Sequence, residues 1–151
     1  MGQQQLLLVI LVTIIVGIAT VVAINTFGAA ADSANLDAVR QDLAQIGAAA
    51  QGFYMKPAML GGGSRSFDGI TFNDMAFPAA GISADGDEAQ NENGRYVITT
   101  AEGQELTITA HPASDPTYTA GTITEEGVLT PGTDAGTEIV AIVYPNRFEF
   151  Q

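Results

Sequence analysis

The sequence predicts an α+β fold: a long N-terminal helix, apolar and then amphipathic, packed on a C-terminal antiparallel β-sheet. Two changes of hydrophobic period support this. Apolar residues run almost unbroken from Leu6 to Ile24, then recur at alternating steps of three and four as far as Phe53, and from Arg95 onward alternate in twos. The helical and strand-like stretches are segregated along the chain instead of alternating. That order favours an antiparallel sheet with a helix over one face. No internal repeat is present.

The first element covers residues 1–31. Leu6 to Ile24 is interrupted only by Thr13, Gly17 and Thr20, and no charged side chain precedes Asp32. At about 1.5 Å per residue the run nearly crosses a hydrocarbon layer roughly 30 Å thick. A helix apolar on every side is buried in lipid or in protein. The preceding Gly2-Gln3-Gln4-Gln5 carries no lysine or arginine, unlike the basic start of a secretory signal. Ala29-Ala30-Ala31 does fit a small-residue cleavage pattern, so removal as a signal is the alternative.

The helix is expected to continue through residues 32–56 as an amphipathic segment. Leu36, Val39, Leu43, Ile46, Ala50 and Phe53 fall on one face, with Asp37, Arg40, Gln41 and Gln45 mostly on the other. Pro57 stops it, because proline excludes helical geometry from the residue before it. A break, if there is one, is expected near Gly17 or Gly28, since glycine costs roughly 1 kcal/mol relative to alanine inside a helix.

Residues 57–94 read as a connecting loop region with short elements, rich in Gly, Asp and Asn and pinned to the core by Phe67, Phe72 and Phe77. Gly61-Gly62-Gly63 lacks the Lys-Ser/Thr pair of a phosphate cradle and reads as a turn. Residues 95–151 carry the sheet, so that 32–151 form one globular domain. "RYVITT" and "ELTITA" flank Ala101-Glu102-Gly103-Gln104 as a hairpin, with Leu106, Ile108 and Ala110 on one face. A weaker strand is expected within Tyr118 to Thr124. "TEIVAIVY" is expected at the centre of the sheet, and Pro145-Asn146 turns the chain so that Phe148 and Phe150 share a face.

The 151 residues include five Lys plus Arg against 17 Asp plus Glu, a formal net charge of −12. Nucleic-acid binding is excluded by that balance, because phosphate contacts need clustered cations. Catalysis is not expected either. There is no cysteine, the single histidine, His111, sits before Pro112 in what reads as an exposed turn, and no nucleophile or metalloprotease motif occurs. Asp85, Asp87 and Glu88 could hold calcium, but Ala89 stands where an EF-type loop wants an oxygen ligand, so they read as a solvated acidic loop. No catalytic, cofactor-binding or metal-ligating residue is assigned.

A long helix, apolar then amphipathic, leading into an antiparallel sheet resembles the plan of type IV pilins, with the sequence resemblance concentrated in residues 2–56. In that family a basic leader ends in glycine, and glutamate stands fifth in the mature chain. With Gly2 as the last residue of the leader, the fifth mature position is Leu7, and the proline that often interrupts the pilin helix is absent. The resemblance implies a structural subunit of an extracellular filament, a helical polymer of identical copies serving adhesion, motility or surface contact. It implies insertion in the inner membrane before assembly and handling by a pilus assembly machinery, with no cofactor. The assembly residues it implies are Gln3, Gln4, Gln5, Leu6, Leu7, Ile10, Ile14, Ile18 and Val21, the glutamines providing a polar tip. The alternative is a membrane-tethered or secreted β-rich binding module whose N-terminus is an anchor or signal.

Overall fold

A computed structural model describes residues 2–133 and 136–151. Helix α1 (Gly2–Met55) is followed by a one-turn 3₁₀ helix (Ala58–Leu60) and by β1 (Gly81–Ser83), β2 (Glu88–Gln90), β3 (Gly94–Glu102), β4 (Glu105–Pro112), β5 (Thr122–Ile123), β6 (Val128–Thr130), β7 (Ile139–Val143) and β8 (Phe148–Phe150). The chain divides into two compact units, Met1–Ala34 and Asn35–Gln151. No break occurs at Gly17 or Gly28; both glycines are helical, with open space where a Cβ would project.

In the second unit the helical residues behave as their spacing requires. Val39, Leu43, Ile46, Ala50 and Tyr54 are buried, Leu36 and Phe53 are half-buried against the same core, and Asp37, Arg40, Gln41 and Gln45 are exposed. The facing sheet presents Leu106, Ile108 and Ala110 from β4 and Ile139, Ala141 and Val143 from β7. Gly47 lets β8 approach, since a Cβ there would lie 2.7 Å from the Phe148 ring. Phe67, Phe72 and Phe77 are all buried, with Phe77 edge-on to Tyr96 at 5.2 Å between centroids.

The strand order is β5-β6-β1-β2-β3-β4-β7-β8. Every pairing is antiparallel except β1 with β6, which is parallel. The sheet is therefore mixed, correcting the expectation of a purely antiparallel one: the 83-to-128 connection returns the chain beside β1 in the same direction. The region 57–94 holds β1 and β2, three residues each, as short elements within the connection. One further correction concerns strand position. The strand in "TEIVAIVY" lies next to the edge, because β8 folds back on its outer side and the sheet grows on the other flank from β1, β2 and β6. The Tyr118–Thr124 segment holds only the two residues of β5. The expected β3–β4 hairpin forms, but its link is shorter than the four residues expected. Ala101 and Glu102 belong to β3, Glu102 lies opposite Glu105, and Gly103 takes φ 53° in the turn. The register shifts between Ile98 and Thr100.

Candidate membrane and assembly helix

Every described residue of the first unit is helical and exposed. An 18-residue window in this part of α1 has mean hydropathy 3.2 and none of it is buried, which by length and composition is enough to cross a membrane. Leu6, Ile14 and Ile18 are 63%, 54% and 61% exposed, so this surface has no partner within the described residues.

Polar groups in this unit are handled locally. The hydroxyls of Thr13, Thr20, Thr26 and Ser33 donate to the carbonyls of Ile10, Val16, Val22 and Ala29 at 2.8–2.9 Å. Each of these hydroxyls is thus satisfied by the preceding turn, and the backbone beyond the first turn by the helix itself. The surface therefore asks little of a surrounding medium that cannot hydrogen-bond. In the sequence Thr13 and Thr20 interrupt the apolar run; a serine or threonine inside a helix can always reach a carbonyl one turn back, which makes them compatible with it.

Of the residues expected to serve assembly, Gln3, Leu6, Leu7 and Ile10 are brought together along one shallow groove, as steps of three and four demand. Ile14, Ile18 and Val21 continue that stripe by the same spacing, while Gln4 and Gln5 point elsewhere around the helix. The rest of the circumference is equally apolar, so the stripe is not chemically distinct from its surroundings.

The second unit holds the polar features that invite a chemical reading. Asp42 Oδ2 accepts hydrogen bonds from Tyr96 OH at 2.7 Å and from the amides of Asn91 and Asn93 at 2.8 Å each. Asn35 donates to the Asn93 carbonyl at 3.0 Å and accepts from Ser114 N at 3.2 Å, extending the network to the end of β4. Burial, reinforced by the Asp42 carboxylate, raises the Tyr96 phenol far above its ordinary range, so the hydroxyl is a fixed donor. This is a clamp between helix, loop and sheet, built of groups locked to one another.

On the opposite sheet face Arg95, 3% exposed, donates to Glu88 Oε2 at 3.1 Å and to the Gly132 carbonyl at 3.3 Å. His111 lies across from it in β4 and is buried, which corrects its reading as an exposed turn residue. Pro112 is the last residue of the strand and does not shorten it before His111. Burial and the Arg95 charge lower the imidazole's proton affinity. Glu88 is engaged with Arg95, and no group of three His, Cys, Asp or Glu side chains is arranged to hold a metal among the described residues.

The glycine run has a different use from anion binding. Gly61, Gly62 and Gly63 N–H donate to the carbonyls of Ala58, Pro57 and Phe53, and Ser64 and Arg65 N–H donate to those of Lys56 and Tyr54. The loop thereby caps the C-terminus of α1, with Ser64 and Arg65 held at φ 49° and 72°.

Comparison with protein-family models, curated proteins and solved structures returns no match. The class defined by the geometry is thus an exposed, membrane-compatible helix continuous with an α+β domain that has its own core.

Proposed function

We propose that this chain is a structural subunit of an extracellular type IV pilin-like filament, polymerising through its hydrophobic N-terminal helix. The observation that carries the reading is the contrast between an unburied apolar helix from Leu6 to Ile24 and a second unit whose core closes without it. Such a helix needs a medium. Lipid supplies one before assembly, and neighbouring copies of the same helix supply one afterwards. The absence of charge suits both, because an unpaired charge is costly in either. Gln3, Gln4 and Gln5 form the polar tip, and Leu6, Leu7, Ile10, Ile14, Ile18 and Val21 the packing stripe. The filament serves adhesion, motility or surface contact at the cell surface, and the subunit waits in the membrane for its assembly machinery.

A membrane-tethered binding module uses the same helix as an anchor only, and a secreted one loses it as a signal. Negative-stain electron microscopy of the purified full chain separates these readings. Thin fibres of uniform width are expected; isolated detergent-soluble particles at all protein concentrations would favour the module.

A further inference from the structure

The second unit leaves one conspicuous apolar cluster outside its core. Met55, Met59 and Leu60, at the end of α1 and in the 3₁₀ turn, are 73%, 98% and 65% exposed. The other large apolar side chains exposed in this unit, Val128 and Phe150, are 37% and 48% exposed. A concentration of methionine and leucine on a surface is the kind of patch that protein contacts use.

The patch is held in shape. Leu60 N–H donates to the Pro57 carbonyl at 2.9 Å, Ala58 N–H to Ser64 Oγ at 2.7 Å, and the capping bonds from Gly63, Ser64 and Arg65 fix the loop to the helix end. Docking therefore orders little that is not already ordered.

Its charge is opposite to that of the rest of the molecule. Among the described residues Arg40, Arg95 and Arg147 sit in ion pairs with Asp37, Glu88 and Glu149, whereas Lys56 and Arg65 do not. Both of these are exposed and belong to the apolar loop. Elsewhere the chain carries its excess of carboxylates, with Asp85, Asp87, Glu125 and Glu126 all exposed in turns.

We propose that Met55, Lys56, Met59, Leu60 and Arg65 form a docking surface for the acidic surface of a second copy of this chain. The inference rests on the filament reading and deepens it. A basic, apolar patch meeting an acidic region elsewhere on the next copy is a heterologous contact, the kind that propagates into a polymer instead of closing as a dimer. The charges set approach and register, and the apolar side chains exclude water.

The chain has no cysteine, so Met59→Cys in the full-length protein introduces a single thiol. Its reaction rate with a water-soluble maleimide is measured in detergent-dispersed subunit, in unassembled subunit within vesicles containing anionic phosphatidylglycerol, and in fibres. The rate is expected to fall about tenfold in fibres only, corresponding to about 1.4 kcal/mol of protection. A Lys56→Glu/Arg65→Glu variant is expected to raise the subunit concentration needed for fibres about tenfold at low salt, with the gap narrowing as salt is added. Equal labelling in fibres and dispersed subunit overturns the contact while leaving the filament standing. Protection already complete in vesicles assigns the patch to lipid and overturns it as well. An unchanged fibre threshold in the charge-reversed variant removes the acidic partner, and failure of the parent chain to form any fibre removes both this contact and the filament reading.

Discussion

Thr20 and Tyr96 each keep a hydroxyl in apolar surroundings, and they do so by different means. Thr20 donates to the carbonyl of Val16, four residues back on the same helix, whereas Tyr96 donates to Asp42, 54 residues away in sequence. The same contrast runs through the two units. Residues 2–34 satisfy the hydroxyls of Thr13, Thr20, Thr26 and Ser33 within one turn and leave their apolar surface outward, so whatever surrounds that surface lies outside the unit. The second unit builds a closed core, leaving Met55, Met59 and Leu60 outside it, and ties Asp42 and Asn35 to partners across long separations. The two units should therefore fail differently: core substitutions in the second should act on stability, and a charge placed in the apolar stretch of the first on assembly.

The largest effect on stability is expected from the core. Leu43 is fully buried between helix and sheet, and Leu43→Ala should cost about 2–5 kcal/mol by urea denaturation in detergent. A loss below about 0.5 kcal/mol, the range of surface substitutions, would mean that the helix does not pack as described. Asp42→Ala should follow, since it leaves the buried Tyr96 hydroxyl without its acceptor, at about 1–3 kcal/mol. Tyr96→Phe should cost less than Asp42→Ala, because the Asn91 and Asn93 amides still serve the carboxylate.

Glycine substitutions sharpen the contrast further. A Cβ at Gly63 would lie against the Ser66 carbonyl, so Gly63→Ala must displace the loop that caps α1 and is expected to destabilise by about 1–3 kcal/mol. Gly17 has open space around it, and Gly17→Ala should instead favour the helix by roughly 1 kcal/mol, read as slower amide exchange around that position.

Acid should produce the smallest effects, in two steps. His111 is kept neutral by burial and by the Arg95 charge, so below about pH 6.5 the unfolded chain binds a proton that the folded chain does not. Stability is complete above that value and falls as pH drops through it. His111→Gln should flatten this step in a thermal-melting series. Asp115 is held well below the ordinary carboxylate range, first by the Thr117 hydroxyl and then by the Thr137 and Thr117 N–H groups. Its contribution is complete above about pH 3.9 and is lost as pH falls toward the lowered value. Asp115→Asn should remove that second step.

The helix and the β3–β4 hairpin were legible because their periods extend over many residues: Leu36 to Phe53 for one, Leu106 to Ala110 for the other. The strands β1 and β2 were not, since "GIS" and "EAQ" are too short to show alternation and are specified by partners across the sheet. Nor could local pattern reveal that β6 runs parallel to β1, or that β8 leaves β7 beside an edge. The Asp42 clamp was invisible for the same reason: Asn91, Asn93 and Tyr96 reach it only through tertiary folding. The apolar stretch from Leu6 to Ile24 was the easiest feature to see, because its meaning lies in composition alone.

That stretch also bears the central claim, that an exposed apolar helix is the core of a polymer. The most direct measurement compares Ile14→Lys with Ile14→Leu, scoring membrane-bound subunit and fibres separately in cells expressing the full chain. Ile14 is 54% exposed and lies in the first unit, outside the core of the second, so neither variant should alter the second unit. Membrane insertion of the lysine variant should weaken, since a central lysine costs about 2.5–3.5 kcal/mol on translocon scales. The account predicts that leucine preserves fibres and that lysine abolishes them even where subunit remains in the membrane. Intact fibres with lysine at position 14, or a leucine variant that loses them, would contradict it.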